Sequence, residues 1–271
     1  MKHGLLTLGT MAMSAHLMAQ TGSAADFQKV SSLEGGLQSE LSNSGKFGHV
    51  FESQVDHIIF SGAPFAGNGE FFVIELADDG SVLSEKKIAS SDFAYFDDKT
   101  NARFGASVVD LGDANGDDSP EMVVDTPGID GGKLFGLISN GEEYDLSEIF
   151  LPTEVEDNAV DFGEFLCFDQ GAILAYSSEN EGAIYRLGID LLEGATLLDK
   201  IDVSHPLLSE KLEPGDRFGS GLSVADVNGD GVKDVLCGAP GDDDQDTNFG
   251  AVYQLYRNNS NEITEVKKLS R

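Results

Sequence analysis

The chain has 271 residues and is 40% hydrophobic, so it can bury a sizeable core. Its 17 Lys and Arg residues stand against 48 Asp and Glu residues, which gives a formal net charge of −31. This charge repels nucleic-acid phosphates and anionic lipids, so it excludes a nucleic-acid partner and a polybasic membrane anchor and favours cations. No run of about 20 apolar residues is present, so no membrane span is expected in the mature chain.

The first 25 residues have the composition of an export signal. Lys2 precedes a mildly apolar stretch, Leu5–Ala19, and small residues follow at Ser23–Ala25. A positive charge, an apolar run and small residues in this order are what an export signal requires. We therefore predict a signal at residues 1–25, a single domain at residues 26–271 and a secreted, periplasmic or cell-surface location. The alternative is a disordered or helical N-terminal tail.

A repeat of about 57 residues organises the rest of the chain. Four Phe-Gly dipeptides are spaced at intervals of 57, 58 and 56 residues, and their phenylalanines are Phe47, Phe104, Phe162 and Phe218. An apolar stretch and then a turn follow each dipeptide, as in Val235–Cys237 followed by Gly238-Ala239-Pro240. Evenly spaced self-similarity of this length indicates a repeat architecture.

A second motif follows the turn in every unit and reads Gly-x-apolar-aromatic-x-aliphatic, as in GAIYRL and GAVYQL. Its glycines are Gly69, Gly132, Gly182 and Gly250. The alternation predicts a strand that is more buried on one face, and no long stretch keeps a helical period. Each unit is therefore predicted to contain about four short strands joined by Gly- and Asp-rich turns. The predicted fold class is all-β, a β-propeller-like array of four detectable blades at approximately residues 33–90, 91–150, 151–203 and 204–271.

The two ends of the chain bear on how this array closes. Phe27–Ser32 and Thr264–Ser270 both look like the outer strand of a blade. The fourth unit is then already complete, which would leave the N-terminal strand as an unprotected edge. A closed four-blade ring, an open arc and a ring completed by a partner or an oligomer are the three alternatives.

The fourth unit contains an acidic loop with the spacing of a calcium site. Between Asp226 and Asp234, oxygen-bearing side chains fall at positions 1, 3, 5 and 9, and two glycines let the chain curl tightly. Calcium takes about six to eight oxygen ligands, and without a cation the crowded carboxylates repel one another. The predicted ligands are the side chains of Asp226, Asn228, Asp230 and Asp234, the carbonyl of Val232 and a water molecule. The alternative is a solvated Asp/Gly turn.

The second unit has a related loop, which the first and third units lack. Its predicted ligands are the side chains of Asp113, Asn115, Asp117 and Glu121 and the carbonyl of Ser119. Asp118 stands where the fourth unit has Gly231, and Asp is among the residues that tolerate a left-handed backbone. The first unit offers only Glu52 and Asp56 in this region, and the third offers Asp169-Gln170-Gly171, so neither can bind a cation by this scheme.

With these motifs assembled, the chain resembles the FG-GAP repeat family, whose repeat forms the blades of the integrin alpha-subunit propeller and of arrays in bacterial secreted proteins. The resemblance covers nearly all of residues 27–271 and is strongest in RFGSGLSVADVNGDGVKDVLCGAP, from Arg217 to Pro240. The first and third units depart from the family by lacking the acidic loop, and family propellers usually have about seven blades. The resemblance implies a β-propeller that calcium stiffens and that serves in recognition or adhesion.

These observations predict an exported calcium-binding module that recognises an extracellular protein or glycan and is not an enzyme. No catalytic or phosphate-binding motif such as HExxH or GxxxxGK[ST] is present. The alternatives are a propeller-type extracellular hydrolase or lyase that uses acidic residues, and a partial propeller completed by a partner or an oligomer. Cys167 and Cys237 are expected to be thiols, although export would permit a disulfide.

Overall fold

The computed structural model describes residues 36–41, 45–49, 51–52, 57–140, 143–158, 160–243 and 249–270. These residues form four four-stranded antiparallel sheets, one after another along the chain. The architecture confirms the predicted all-β class and is that of a propeller-like fold. The predicted export signal and the predicted strand Phe27–Ser32 lie outside the described residues. In the described part of the chain, no helix has the length and apolar character needed to cross a membrane.

Each sheet is a meander in which every strand pairs with the next one along the chain. The first sheet contains β1 (Phe51–Glu52), β2 (Ile58–Ala63), β3 (Glu70–Leu76) and β4 (Val82–Ala89). The second contains β5 (Val108–Gly112), β6 (Glu121–Thr126), β7 (Lys133–Ser139) and β8 (Tyr144–Ile149). The third contains β9 (Leu166–Asp169), β10 (Ala172–Ser177), β11 (Ala183–Asp190) and β12 (Gly194–Ile201). The fourth contains β13 (Leu222–Ala225), β14 (Asp234–Ala239), β15 (Ala251–Arg257) and β16 (Ile263–Leu269), and β16 confirms the strand predicted near the C-terminus.

The apolar runs of the sequence correspond to strands that are covered on both faces. β6 and β10 are buried along their whole length. Burial on both faces favours consecutive apolar side chains, such as Met122–Val124 and Ile173–Ala175, in place of an alternating pattern. The outer strands β4 and β16 instead carry charged side chains, and most of their positions are exposed or partly buried.

Short helical segments lie in the connections between the first and second sheets and between the second and third sheets. Two 3-10 turns, Ser90–Asp92 and Ala94–Phe96, follow the first sheet, and the α-helix α1 (Thr153–Asn158) follows the second. Phe96 and Val155 of these segments are buried in the apolar clusters beside the sheets. The connections therefore contribute to the core as well as linking the sheets.

The two repeated sequence motifs meet where consecutive sheets adjoin. At each such junction, the N–H of the Phe-Gly phenylalanine donates to the carbonyl of the residue before the second-motif glycine of the preceding sheet. The pairs are Phe104 with Asn68 at 2.9 Å, Phe162 with Gly131 at 2.9 Å and Phe218 with Glu181 at 2.8 Å. At Gly132, where φ is +102°, any side chain would collide with the backbone of Phe162. Glycine is therefore required at this position by the close approach of two backbones.

An apolar cluster fills each junction. Between the first and second sheets it includes Phe60, Phe71, Phe104, Met122 and Phe135. Between the second and third it includes Val123, Leu134, Phe162, Ile173 and Tyr185. Between the third and fourth it includes Leu174, Ile184, Phe218, Val235 and Tyr253.

The first strands β1, β5, β9 and β13 approach one another in that order, as expected for sheets whose first strands face a common centre.

Both cysteines belong to the third junction. Cys237 is buried in its apolar cluster, and Cys167 is partly buried against the same cluster. Both are thiols, as expected, and burial raises the pKa of the Cys237 thiol.

One buried carboxyl group lies beneath the Phe-Gly turn of the third sheet. Asp125 is fully buried, and its Oδ1 atom accepts a hydrogen bond from the Ser107 N–H at 2.6 Å. Burial raises the pKa of Asp125 well above its usual value, and the Ser107 hydrogen bond and the Arg103 charge oppose this only in part. The folded chain therefore holds this proton more tightly than the unfolded chain does.

We expect the contribution of Asp125 to stability to be lost as the pH rises through its folded-state pKa. The Asp125→Asn variant keeps the oxygen acceptor and does not ionise, so it should gain stability relative to wild type as the pH rises above the usual pKa of an aspartate. Urea unfolding in EDTA at a series of pH values measures the difference. Asp190→Asn is the control. The Leu192 and Glu193 N–H groups lower the pKa of the exposed Asp190, so this variant should lose stability relative to wild type as the pH rises. A difference that does not change with pH would contradict the role given to Asp125.

Candidate metal centre

The two acidic loops occupy the same place in their sheets. The loop of the second sheet follows β5 and ends at Glu121, the first residue of β6. The loop of the fourth sheet follows β13 and ends at Asp234, the first residue of β14. In both loops the first three predicted side-chain ligands are exposed and the last is fully buried. The predicted ligand residues therefore lie on two equivalent turns.

Asp226 organises the turn of the fourth sheet. Its Oδ1 atom accepts hydrogen bonds from the N–H groups of Gly229 at 2.7 Å and Asp230 at 3.1 Å, and its Oδ2 atom accepts from Gly231 at 2.9 Å. The Gly231 hydrogen bond is the largest cause of a lowered pKa of Asp226, which keeps this carboxyl group ionised. The first predicted ligand is thus held as a carboxylate inside the turn.

The turn of the second sheet repeats this arrangement around Asp113. Oδ1 of Asp113 accepts from the N–H groups of Gly116 at 2.6 Å and Asp117 at 3.0 Å, and Oδ2 accepts from Asp118 at 3.0 Å. Asp118 has a φ of +68°, close to the +88° of Gly231 in the other loop. Asp118 thus has the left-handed backbone that an aspartate tolerates at this position.

The third and fifth positions agree as well. In both loops, the Oδ1 atom at each of these positions accepts the N–H two residues further on, which is the Asx-turn hydrogen bond. The pairs are Asn115 with Asp117 at 2.9 Å, Asp117 with Ser119 at 2.9 Å, Asn228 with Asp230 at 2.9 Å and Asp230 with Val232 at 2.7 Å. The two loops therefore share one backbone conformation although their sequences differ.

The two loops differ in the hydrogen bonds made by the buried residue at their ninth position. Glu121 accepts four hydrogen bonds, from Ala114 N–H at 2.8 Å, Asn115 N–H at 2.9 Å, Asn115 Nδ2 at 2.8 Å and Ser139 N–H at 3.1 Å. Asp234 accepts two, from Val227 N–H at 3.2 Å and Arg257 N–H at 3.0 Å. A cation at the second-sheet loop would compete with more hydrogen bonds, which makes that loop the weaker candidate.

Both loops supply oxygen atoms, which are the ligands that calcium prefers, but their side chains do not form a complete coordination shell. In the fourth sheet, Asn228 Nδ2 donates to Asp230 Oδ2 at 2.8 Å, which engages one of the oxygens a cation would need. Among the described residues, no three His, Cys, Asp or Glu side chains are gathered closely enough to hold a metal ion. Because calcium requires about six to eight oxygens, binding requires these side chains to move toward one another.

The third sheet has a buried ion pair in place of the loop. β9 and β10 are joined by Gln170 and Gly171, both with positive φ, and Asp169 lies buried just before them. Asp169 pairs with both Nη atoms of Arg257 at 2.7 and 2.8 Å and with Arg186 Nε at 2.9 Å. Burial alone would raise the pKa of Asp169, but the two arginines outweigh it and lower the pKa. Guanidinium groups thus supply the positive charge at this position.

The role of Arg257 is not visible in the sequence, because its partner Asp169 lies 88 residues away and in another sheet. No local pattern around Arg257 indicates that contact. The corresponding turn of the first sheet, residues 53–56, lies outside the described residues. That the first sheet lacks an acidic loop therefore stays a prediction.

A shallow cleft beside the second sheet also gathers acidic side chains. Its lining includes Tyr95, Asp130, Lys133, Glu148 and Glu156. Lys133 Nζ lies 3.2 Å from Glu148 and 3.6 Å from Glu156, so one ammonium group partly neutralises both carboxylates. The alternative of a hydrolase or lyase can be tested at these two carboxylates.

Comparison with known proteins agrees with this geometry. The FG-GAP repeat family model matches residues 218–253. The match begins at Phe218, passes through the acidic loop and ends at Tyr253 in β15. No curated protein is significantly similar to the chain. Residues 218–253 therefore match an FG-GAP repeat, and this segment contains the acidic loop of the fourth sheet.

Proposed function

We propose that this protein is an exported calcium-binding module that serves in recognition or adhesion and catalyses no reaction. The observation that carries the proposal is the agreement of two acidic loops, residues 113–121 and 226–234, in position, burial and hydrogen bonding. If the two turns were only solvated, the same arrangement of exposed oxygens and a buried carboxylate would not be required in both sheets. The FG-GAP match over one of the loops supports the same proposal.

Calcium would be held in the fourth sheet by the side chains of Asp226, Asn228, Asp230 and Asp234 and the carbonyl of Val232. In the second sheet it would be held by Asp113, Asn115, Asp117 and Glu121 and the carbonyl of Ser119. When bound, the ion supplies positive charge that offsets the repulsion among these carboxylates. The residues of the chain orient their oxygens through the backbone hydrogen bonds described above.

The proposed role of the loops is to stiffen a surface that meets another molecule. Each loop connects the first and second strands of its sheet, so ordering the loop also fixes where those strands end. The net charge of −31 favours partners that carry cations or tolerate negative charge. An extracellular protein or a glycan is the partner class we propose.

Isothermal titration with calcium and magnesium tests this proposal directly. The wild-type chain should bind calcium with a Kd of about 10⁻⁴–10⁻³ M, as extracellular modules do. Asp230→Ala should remove the tighter site and Asp117→Ala the weaker one. Glycan and matrix-protein arrays probed in calcium and in EDTA then identify the partner class. Hydrolysis of glycosides or phosphoesters by the wild type, lost in Glu148→Gln/Glu156→Gln, would overturn the non-catalytic assignment.

The N-terminal segment is expected to direct export. Residues 1–25 fused to a reporter that is active only outside the cytoplasm should give reporter activity, because the segment has a charge, an apolar run and small residues in the required order. A matched fusion with Leu5→Arg and Leu6→Arg should lose most of that activity, because the changes interrupt the apolar run. Equal activity in the two fusions would contradict the signal assignment.

A further inference from the structure

The fourth sheet exposes a face that its counterparts bury. Val252 in β15 is 42% exposed, whereas the residues at the same motif position in the other sheets are 0% exposed. Those residues are Phe71, Leu134 and Ile184. The third residue of the second motif therefore lies in a closed interface in three sheets and at the surface in one.

A second position on the same face behaves in the same way. Strand pairing places Leu269 opposite Val252, as it places Ile88 opposite Phe71. Leu269 is 53% exposed, whereas its counterparts are at most 3% exposed. Those counterparts are Ile88, Ile149 and Ile201. Val252 and Leu269 thus form one apolar patch, which we call the terminal face.

Inside the chain, the next sheet covers the corresponding faces. The ring of Phe104 lies 5.7 Å from the ring of Phe71, and the N–H of Phe104 donates to the carbonyl of Asn68. In the fourth sheet the equivalent acceptor is the carbonyl of Phe249, a residue that is itself 59% exposed. No N–H of a described residue donates to this carbonyl. The terminal face is therefore half of a junction.

The other half is present at the opposite end of the structure. Phe47 stands edge-on to Phe72 of its own sheet at 5.1 Å, as Phe218 stands edge-on to Tyr253 at 5.3 Å. Gly48 N–H donates to the Gly62 carbonyl, the same hydrogen bond that the later Phe-Gly turns make in their sheets. The first sheet therefore presents a formed Phe-Gly turn, with no preceding sheet among the described residues to receive its Phe47 N–H.

We propose that the terminal face binds the first sheet of a second copy of this chain, through the same contact that joins the sheets within the chain. Phe47 of one copy would then cover Val252 and Leu269 of the other. The first sheet of the same chain leaves the terminal face exposed, which favours a second copy over closure within one chain. Two copies joined reciprocally at both ends form a closed assembly of eight sheets, which lies within the range of known propellers. This inference goes beyond the proposed function and does not depend on calcium.

Light scattering coupled to size exclusion tests the inference on the purified chain, in calcium and in EDTA. The wild type should have twice the mass of one chain at micromolar concentrations. Val252→Asp/Leu269→Asp should weaken self-association by at least about tenfold, because two charges would enter an apolar interface. Both residues are largely exposed in the single chain, so the variant should keep its far-ultraviolet circular dichroism and its cooperative unfolding.

Leu192→Asp is the matched control, since Leu192 is 85% exposed between β11 and β12 and lies off the terminal face. It should stay dimeric. A wild type with the mass of one chain at every concentration overturns the inference, and so does a dimer that persists in Val252→Asp/Leu269→Asp. A monomeric wild type that the double substitution destabilises indicates closure within one chain and overturns it equally.

Discussion

Calcium at tenfold excess over the Kd of the tighter site is expected to raise the melting temperature of the wild-type chain by about 3–6 °C through that site. The reason is linkage, because a ligand that binds only the folded state adds about 1.4 kcal/mol at this excess, and a chain of this size converts each kcal/mol into roughly 2–4 °C. Asp230→Ala should lose most of the rise, since it removes one carboxylate of the loop where fewer hydrogen bonds compete with a cation. Asp117→Ala should lose a smaller part of this rise in melting temperature. Differential scanning calorimetry in EDTA and in millimolar calcium gives the comparison.

Asp190→Ala provides the matched control for this experiment. Asp190 is an exposed turn aspartate that accepts the N–H groups of Leu192 and Glu193, much as the loop aspartates accept neighbouring N–H groups. Its substitution should leave the calcium-induced rise intact. Equal melting temperatures of the wild type in EDTA and in calcium would reject the metal proposal for both loops.

Replacing Arg257 by alanine is expected to destabilise the chain by about 3–5 kcal/mol, because it removes one partner of a buried ion pair. Asp169 would keep Arg186 but lose its two-pronged contact with Arg257 in a fully buried place. Since Arg257 belongs to the fourth sheet and Asp169 to the third, the loss falls on the junction between them. Urea unfolding measures the change in the free energy of unfolding.

Two further variants show whether this loss comes from the buried pair. Asp169→Asn combined with Arg257→Ala should cost clearly less than the sum of the two single substitutions, because the combination leaves no buried carboxylate without its main partner. Lys267→Ala is the control for an exposed pair: Lys267 lies 3.5 Å from Glu265 and both are about half exposed. It should leave stability nearly unchanged, because ion pairs between exposed side chains contribute little. A similarly small effect of Arg257→Ala would show that the pair does not hold the junction together.

The loops show how far sequence spacing predicted the site. Position and type of the oxygen-bearing residues were sufficient to place Asp226 and Asp113 on equivalent turns, because a tight turn of nine residues is governed by local hydrogen bonds and by glycine. The same reasoning allowed Asp118 to replace a glycine, and the backbone agrees. The spacing does not predict the hydrogen bond from Asn228 to Asp230. The contacts of two exposed side chains depend on small differences in local energy.

The sequence by itself determined the all-β class, the four-fold recurrence and the place of both acidic loops, because strands, turns and loop curvature depend on residues close together in the chain. Only the tertiary structure decided that the Phe-Gly turn meets the glycine of the preceding sheet, that Arg257 neutralises Asp169, and that Val252 stays exposed where Phe71 is buried. These features join residues that are distant in sequence, and their energies depend on which surfaces come together. The sequence repeat shows which residues are equivalent, but it does not show which of them come into contact.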